Sequence, residues 1–321
     1  MKPEPPSSGE TPALDVLVVG AGPAGLTAGM YLARYRRRVR IVHDGSSRAL
    51  WVPGSRNVPG FPDGIVGHDL IARMSEHALR YGAEITEGRV VEIGRAKGGQ
   101  GFRTRLDSGG TIDARGLILA TGVDTNLAKL DSGDHRTAVQ DGVLRYCPIC
   151  DGYEHSRERI AVLGSDLHGA AEAMFLRQYS SDVTLIPKWQ VALTDAQRAE
   201  LEASGVGVLE GRVLRLDAAG TTISVTLEGE AAPRRFDILY PAFGSNPRSE
   251  LAAMLGPLTD HNGCLPFTAY SDGLLPGLYA AGDVVAGLDQ ISVATGQGAM
   301  AATRLHNWLR EQEGHVMADQ K

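Results

Sequence analysis

Two cysteines separated by two residues, Cys147-Pro148-Ile149-Cys150, are followed at once by Asp151-Gly152-Tyr153. That spacing supports three chemistries. A zinc half-site is one, but structural zinc needs four ligands and there is no second C-x-x-C. The nearest further candidates are His155 and His168, and no metal is expected. A pair of inert core cysteines is the second, although Pro148, Asp151 and Gly152 mark a turn and not a core run. A redox disulfide is the third; the spacing suits it, and a following helix can lower a thiol pKa. The remaining cysteine, Cys264, follows the turn signal Asn262-Gly263 and reads as structural. A second signature is Gly20-Ala21-Gly22-Pro23-Ala24-Gly25, a G-x-G-x-x-G placed after an apolar run. Gly20 permits a tight turn, Gly22 lets backbone approach a pyrophosphate, and Gly25 permits close helix–strand packing. Free N–H groups at the helix start, after Pro23 and around Ala24, then hold phosphate. A glycine-rich turn without a ligand is the alternative. The acid that usually meets a ribose at the end of the next strand is displaced: His43 stands there and Asp44 follows.

Positioning these groups requires alternating strands and helices. Asp15 to Gly20 is a β-branched run, followed by the turn, a helix through about Arg37 and a strand over 39–42. Arg159 to Gly164 repeats the pattern, with a helix through about Tyr179 and a strand over 183–186. The two starts lie about 144 residues apart, a domain spacing and not a solenoid repeat. Gly116 to Gly122 and, much later, Gly277 to Asp283 read as buried strands, the latter followed by a helix from Val293 to about Arg310. The fold expected is α/β, with two Rossmann-like three-layer domains, the second inserted in the first. Residues 13–120 and 247–321 would form one domain and 121–246 the other, after a disordered tail over 1–12.

Forty glycines and 6% aromatics suit tight βα turns, and the length allows two cores. A net charge of −6 argues against nucleic acid as the main partner. Three cysteines are too few for a secreted scaffold, so a cytoplasmic location is expected. The apolar stretch from Leu14 to Ala33 could suggest a membrane span, but Asp15 and the glycine run favour strand, turn and helix. Arg34, Arg36, Arg37, Arg38 and Arg40 read as a solvated helix end suited to the C-terminal dipole, or as a docking patch for an acidic partner.

The turn at Gly20–Gly25, together with Leu119-Ala120-Thr121-Gly122 and Ala280-Ala281-Gly282-Asp283, resembles the three fingerprints of two-domain flavoprotein disulfide reductases. With the C-x-x-C just ahead of the second βαβ start, and the string Tyr146 to Tyr153, the chain resembles the low-molecular-weight thioredoxin reductase family from Asp15 to about Leu309. The resemblance implies FAD, with Asp283 hydrogen-bonding its ribityl chain and Asn57, Gln290 and Ile291 at the flavin. It implies that Cys150 exchanges electrons with the flavin, Cys147 meets the substrate disulfide, and Asp151 moves the proton. It also implies a homodimer, a thioredoxin-like protein or a small dithiol as partner, and a domain rotation between flavin and substrate. Pro148, where the family has a small residue, lacks an N–H and should alter hydrogen bonding to the sulfurs.

Three departures bear on NADPH. Asp166 replaces the second glycine of the inserted domain's turn and would face a pyrophosphate. Pro187-Lys188-Trp189 replaces a His-Arg-Arg cluster that grips the 2′-phosphate. Asp289 replaces the arginine of the family's Arg-Gln-Ala segment. The expected activity is thiol–disulfide exchange linked to FAD without efficient NADPH use, similar to diflavin-linked disulfide oxidoreductases and flavin-dependent dithiol oxidases, with a second flavin conceivable. An NADPH-dependent thioredoxin reductase and a non-enzymatic flavin-binding sensor are the alternatives. Arg48-Ala49-Leu50-Trp51 replaces a Gly-Gly-Gln stretch, so Trp51 would either cover the flavin or simply pack.

Overall fold

The computed structural model describes residues 14–96, 98–164, 167–187, 193–256 and 258–317. They form two compact units: residues 14–50, 68–123 and 247–317 make the first, and 51–67 with 124–246 make the second. Residues 51–67, expected with the first domain, pack within the second unit.

The first unit opens with β1 (Leu14–Val19), α1 (Pro23–Arg34), β2 (Val39–His43), α2 (Gly67–Arg80), β3 (Glu84–Glu87), β4 (Val90–Arg95), β5 (Phe102–Leu106) and β6 (Thr111–Leu119). β1 lies between β2 and β6, parallel to both. β3 extends the parallel sheet beyond β2. Alternate residues of β1 serve opposite faces, as the pleat demands. Val16 and Val18 join Leu26, Leu32, Leu305 and Leu309, whereas Leu17 and Val19 join Phe102, Leu117, Leu251 and Leu278. The first half of β6 pairs antiparallel with β5, which pairs with β4, a ribbon that the α/β pattern did not predict. Helix α1 begins with proline at its first position and stops at Arg34, short of the expected Arg37. It stops because Arg36 takes a left-handed φ of 62°.

The crossings β7 (Val123–Thr125) and, later, β15 (Ser245–Pro247) pair with each other. Between them lie α3 (His135–Gln140), α4 (Pro148–Asp151), β8 (Ile160–Leu163), α5 (Leu167–Leu176), β9 (Val183–Ile186), α6 (Asp195–Ala203), β10 (Gly207–Val208), β11 (Val213–Ala219), β12 (Thr222–Leu227), β13 (Arg234–Phe236) and β14 (Ile238–Pro241). The parallel sheet runs β10-β9-β8-β14, and β11-β12-β13 is an antiparallel sheet. β8 repeats the two-sided burial of β1: Ile160 and Val162 face Leu176 and Tyr240, while Ala161 and Leu163 face Ile223, Val225 and Leu239. Helix α5 ends at Leu176 and not at the expected Tyr179. Gly164 and Gly169 keep strand and helix close, since a Cβ on either would lie 2.9 Å from the other's Cα.

The chain then adds α7 (Glu250–Ala253), β16 (Leu278–Ala280) and α8 (Ile291–Gln312) to the first unit. β16 pairs parallel with the second half of β6. The run from Leu14 to Ala33 is therefore strand, turn and helix, and no helix among the described residues is long and apolar enough to cross a membrane. The arginine cluster is not a free cationic face. Arg37 is only 10% exposed and pairs bidentately with Glu313. Arg40 meets Glu84, Arg38 meets Asp15, and Arg34 lies over the Tyr81 ring.

Candidate active site

Each unit carries one half of the expected site. In the second, Cys147 is the extended N-cap residue of α4 and is disulfide-bonded to Cys150, with Cα atoms 5.3 Å apart. Pro148 takes the first helical position, where a missing N–H leaves nothing unsatisfied. The Cys150 N–H donates to the Cys147 carbonyl at 3.0 Å. Helix α4 is a single turn, so it supplies much less dipole than the helix expected from the sequence. Gly152 is required by packing: a Cβ there would lie 2.6 Å from the Pro148 carbonyl oxygen and 2.8 Å from the Tyr179 ring.

Asp151 is the last residue of α4. The Tyr240 hydroxyl donates to its Oδ1 at 2.8 Å, and Arg145 Nε stands 3.3 Å from its Oδ2. Burial pushes the Asp151 carboxyl above the usual carboxylate range, against the pull of Tyr240 and Arg145. Burial and the neighbouring Asp151 likewise drive the Tyr240 phenol upward. Neither Tyr240 nor Arg145 was singled out by the sequence; Tyr240 lies in an apolar strand run and Arg145 carries no motif. Asn57 belongs to this unit, accepting from Ser55 Oγ and donating to the Ile149 carbonyl at 3.3 Å. Trp51 also belongs here; it is 54% exposed and meets His135 edge-on. His135 Nε2 lies 2.8 Å from the Tyr146 hydroxyl, next in sequence to Cys147.

In the first unit, the carboxyl ends of β1, β6 and β16 bring the three glycine-bearing turns together. Gly20 has a φ of 112°, and a Cβ on it would lie 2.1 Å from the Ala120 carbonyl oxygen. A Cβ on Gly25 would lie 1.9 Å from the Gly20 carbonyl oxygen, and one on Gly282 2.9 Å from Ala24 Cβ. No side chain caps α1 at Gly22, so the first-turn N–H groups of Ala24 and Gly25 remain for a ligand. Asp283 is largely buried, and burial lifts its carboxyl although Arg48 lies 3.1 Å away. Gln290 caps α8 through its backbone and Ile291 opens that helix. Burial works upward on Asp44, but hydrogen bonds from Ser46 and the charge of Arg248 outweigh it and hold the carboxyl low. Arg248 bonds Ser46 Oγ at 2.6 Å, and Thr121 Oγ1 donates to the Arg248 carbonyl, also at 2.6 Å. Gln297 accepts from the Gly282 N–H at 2.8 Å. Ser46, Arg248 and Gln297 carried no sequence signal beyond a polar residue in a turn or an apolar helix.

This cradle fits FAD. It offers an anion-binding helix start that no Cβ obstructs, an acid after β2, and a largely buried carboxylate after β16, at the switch point where β2 and β6 leave β1 in opposite directions. Of the NADPH departures, Asp289 is described: it ion-pairs with Arg48 at 3.4 Å. Burial, then the charge of Asp283, push it up to about 6. Asp166, Lys188 and Trp189 lie outside the described residues.

A family model described as pyridine nucleotide-disulphide oxidoreductase matches residues 14–298. The thioredoxin reductase of Streptomyces clavuligerus is 31% identical over 310 residues, covering 92% of this chain and 94% of its own. That of Listeria monocytogenes is 29% identical over 324 residues, covering 95% and 97%. The crystal structure of HlmI is similar with a TM-score of 0.85 at 30% identity, covering 94% of each chain.

Proposed function

Because this chain belongs to the pyridine nucleotide-disulphide oxidoreductase family and is an FAD-dependent disulfide oxidoreductase of thioredoxin reductase type, we propose that it exchanges electrons with a protein or small-molecule dithiol without efficient NADPH use. The observation that carries the reading is the Cys147–Cys150 disulfide followed at once in the chain by the largely buried Asp151, whose carboxyl burial pushes upward. Gly20, Gly22, Pro23, Ala24 and Gly25 would hold the FAD pyrophosphate, with Asp44 at a ribose, Ala120, Thr121 and Gly122 beside the turn, and Gly282, Asp283, Gln290 and Ile291 along the flavin half. Bound there, FAD supplies two-electron exchange with a sulfur pair.

The protein's own residues do the rest. A substrate thiolate attacks Cys147 Sγ, the Cys147–Cys150 bond breaks, and Cys150 leaves as thiolate. A second substrate thiolate displaces Cys147, closing the substrate disulfide and leaving the dithiol reduced. Asp151, its oxygens held by Tyr240 and Arg145, gives a proton to the leaving Cys150 and takes one back in the reverse direction. A thioredoxin-like protein is the partner that the curated relatives suggest, acting on a homodimer in the cytoplasm.

The case against NADPH rests on Asp166, Pro187-Lys188-Trp189 and Asp289 as residue types, with Asp289 tied to Arg48 in place of an arginine. An anaerobic titration separates the alternatives. Dithiothreitol or reduced thioredoxin should bleach the flavin of the holoenzyme, and micromolar NADPH should not. Rapid bleaching by NADPH would instead make the chain an ordinary NADPH thioredoxin reductase. Cys150→Ser should abolish bleaching by dithiol while leaving FAD bound, and its persistence would remove the dithiol from the reaction.

A further inference from the structure

Two of the departures from the family pattern meet each other. Arg48 stands in the stretch that replaces Gly-Gly-Gln, and Asp289 replaces the arginine of Arg-Gln-Ala. Both lie in the first unit, as does Asp283. Arg48 Nη1 is 3.4 Å from Asp289 Oδ2, and Arg48 Nη2 is 3.1 Å from Asp283 Oδ2. Where the family has its cation at position 289, this chain carries one at position 48, tied at both terminal nitrogens. A guanidinium held at two nitrogens has its plane fixed, which a single contact would not achieve.

The carboxyl that this cation meets lies in the cradle. Asp283 stands three residues past β16. Its neighbour Gly282 packs on the first turn of α1, where a Cβ would lie 2.9 Å from Ala24 Cβ. Among the described residues only Oδ2 of Asp283 is engaged, and Arg48 is the one cation within ion-pair distance of it. Oδ1 is left to accept from a hydroxyl. A carboxylate accepts with both oxygens, whereas a carboxylic acid turns one of them into a donor. Burial pushes Asp283 toward the acid, and the charge of Arg48 opposes it. The other titratable groups about the segment are acids or a thiol and give no help. Asp289 and Asp283 repel each other, Asp260 and Asp289 both act on Cys264, and the first turns of α1 and α8 hold no charged acid.

We propose that Arg48 is a positioning residue for FAD: anchored by Asp289, it holds the Asp283 carboxylate as an acceptor for the ribityl hydroxyls. The inference rests on the FAD site proposed above. Arg48 acts through Asp283, so its effect on FAD exists only while Asp283 carries its carboxylate. Asp289, a costly charge to bury, has its use in fixing the other end of the guanidinium.

Release of FAD from the diluted holoenzyme, followed by the rise of flavin fluorescence from pH 5 to 8, tests this, with thermal unfolding of each variant measured alongside. Arg48→Gln should release FAD about tenfold faster than wild type at pH 7, the weakening of one hydrogen bond to a charged acceptor. Its release should quicken further as pH falls, from a higher pH than in wild type, because Asp283 without its cation takes up a proton earlier. Arg48→Lys keeps the charge and should recover most of the retention. In an Asp283→Asn background Arg48→Gln should change little, since the carboxylate it serves is gone. Wild-type release from Arg48→Gln overturns the proposal. So does an equal acceleration in both backgrounds, which would mean that Arg48 acts without Asp283. A lower melting temperature in both Arg48 variants, with the pH dependence of release unchanged, overturns it too and marks a structural staple. Wild-type protein that binds no FAD strikes the underlying site instead. No step of the assay involves the dithiol, so the outcome of the dithiothreitol and NADPH titrations is told apart from all of these.

Discussion

Asp151, Asp283 and Asp289 are three carboxyls that burial pushes upward, and they differ in what lies against them. Asp151 has a phenol donor and a guanidinium, Asp283 has Arg48, and Asp289 shares Arg48 while meeting the charge of Asp283. Asp289 reaches about 6, so its charge is a net burden on the folded state. The folded protein holds a proton there that the unfolded chain has lost above its ordinary 3.8, and stability falls as pH rises through that window. Above pH 6 the burden is complete. Asp289→Asn should therefore melt higher than wild type at pH 8, by about 1 kcal/mol once solvent screening of this half-exposed group is counted. The difference should close toward pH 4. Thermal unfolding followed by circular dichroism across that range checks it. A variant that is less stable at pH 8 would mean that the bond to Arg48 contributes more than the burial of Asp289 costs.

At the scale of elements, the two halves of the site depend on glycines that admit no side chain, and α8 shows how local that demand is. Gly298 is buried against α1, where a Cβ would lie 2.3 Å from the Ala24 carbonyl oxygen. Gly296, two residues earlier, is exposed and a Cβ there meets nothing within 4 Å. Alanine at 298 should cost about 1–3 kcal/mol and lower the FAD content by shifting the α1 turn. Alanine at 296 should stabilise by about 0.5–1 kcal/mol, because it removes backbone freedom from the unfolded chain. Chemical denaturation of both variants separates these outcomes, and equal effects would refute the packing argument. The βαβ starts and the glycine turns were legible in the sequence because a period of two and a G-x-G-x-x-G spacing are local properties. The ribbon β4–β5 and the sheet β11-β12-β13 were not, since their exposed strands mix charge with apolar residues and carry no long apolar run. The end of α1 was misread because Arg36 enters left-handed backbone without a glycine to announce it. Tyr240 and Arg248 were missed because each acquires its place only when segments distant in sequence meet, and Arg145 and Gln297 because a turn of the chain, which no motif announces, brings each to its partner.

At the scale of the molecule, inserting one unit into another makes the first depend on segments far apart in sequence. α8 must return to α1 and β6 for that unit to have a core. A charge network fastens this return. Glu313, 20% exposed and just past the end of α8, accepts both guanidinium nitrogens of Arg37 after α1 and one from Arg115 in β6 at 2.6 Å. Arg115 also reaches Asp15 in β1 at 3.1 Å. The Arg37 hydrogen bonds, joined by those of Arg115, hold Glu313 down to about 2 against an ordinary 4.5. A depressed acid contributes its stability above the unfolded pKa and loses it as pH falls through the folded one. The network should be intact above pH 5 and fail between about 4.5 and 2. Glu313→Gln keeps the shape and removes the charge, leaving the nearly buried Arg37 without its carboxylate, which should cost about 2 kcal/mol at pH 7. The deficit should shrink through the acid range and vanish below about pH 2, where wild-type Glu313 is itself protonated. Denaturant titrations of both proteins at pH 7, 4.5 and 2.5 measure it, and a deficit that stays constant with pH would show that Glu313 fastens the helix by packing rather than by charge.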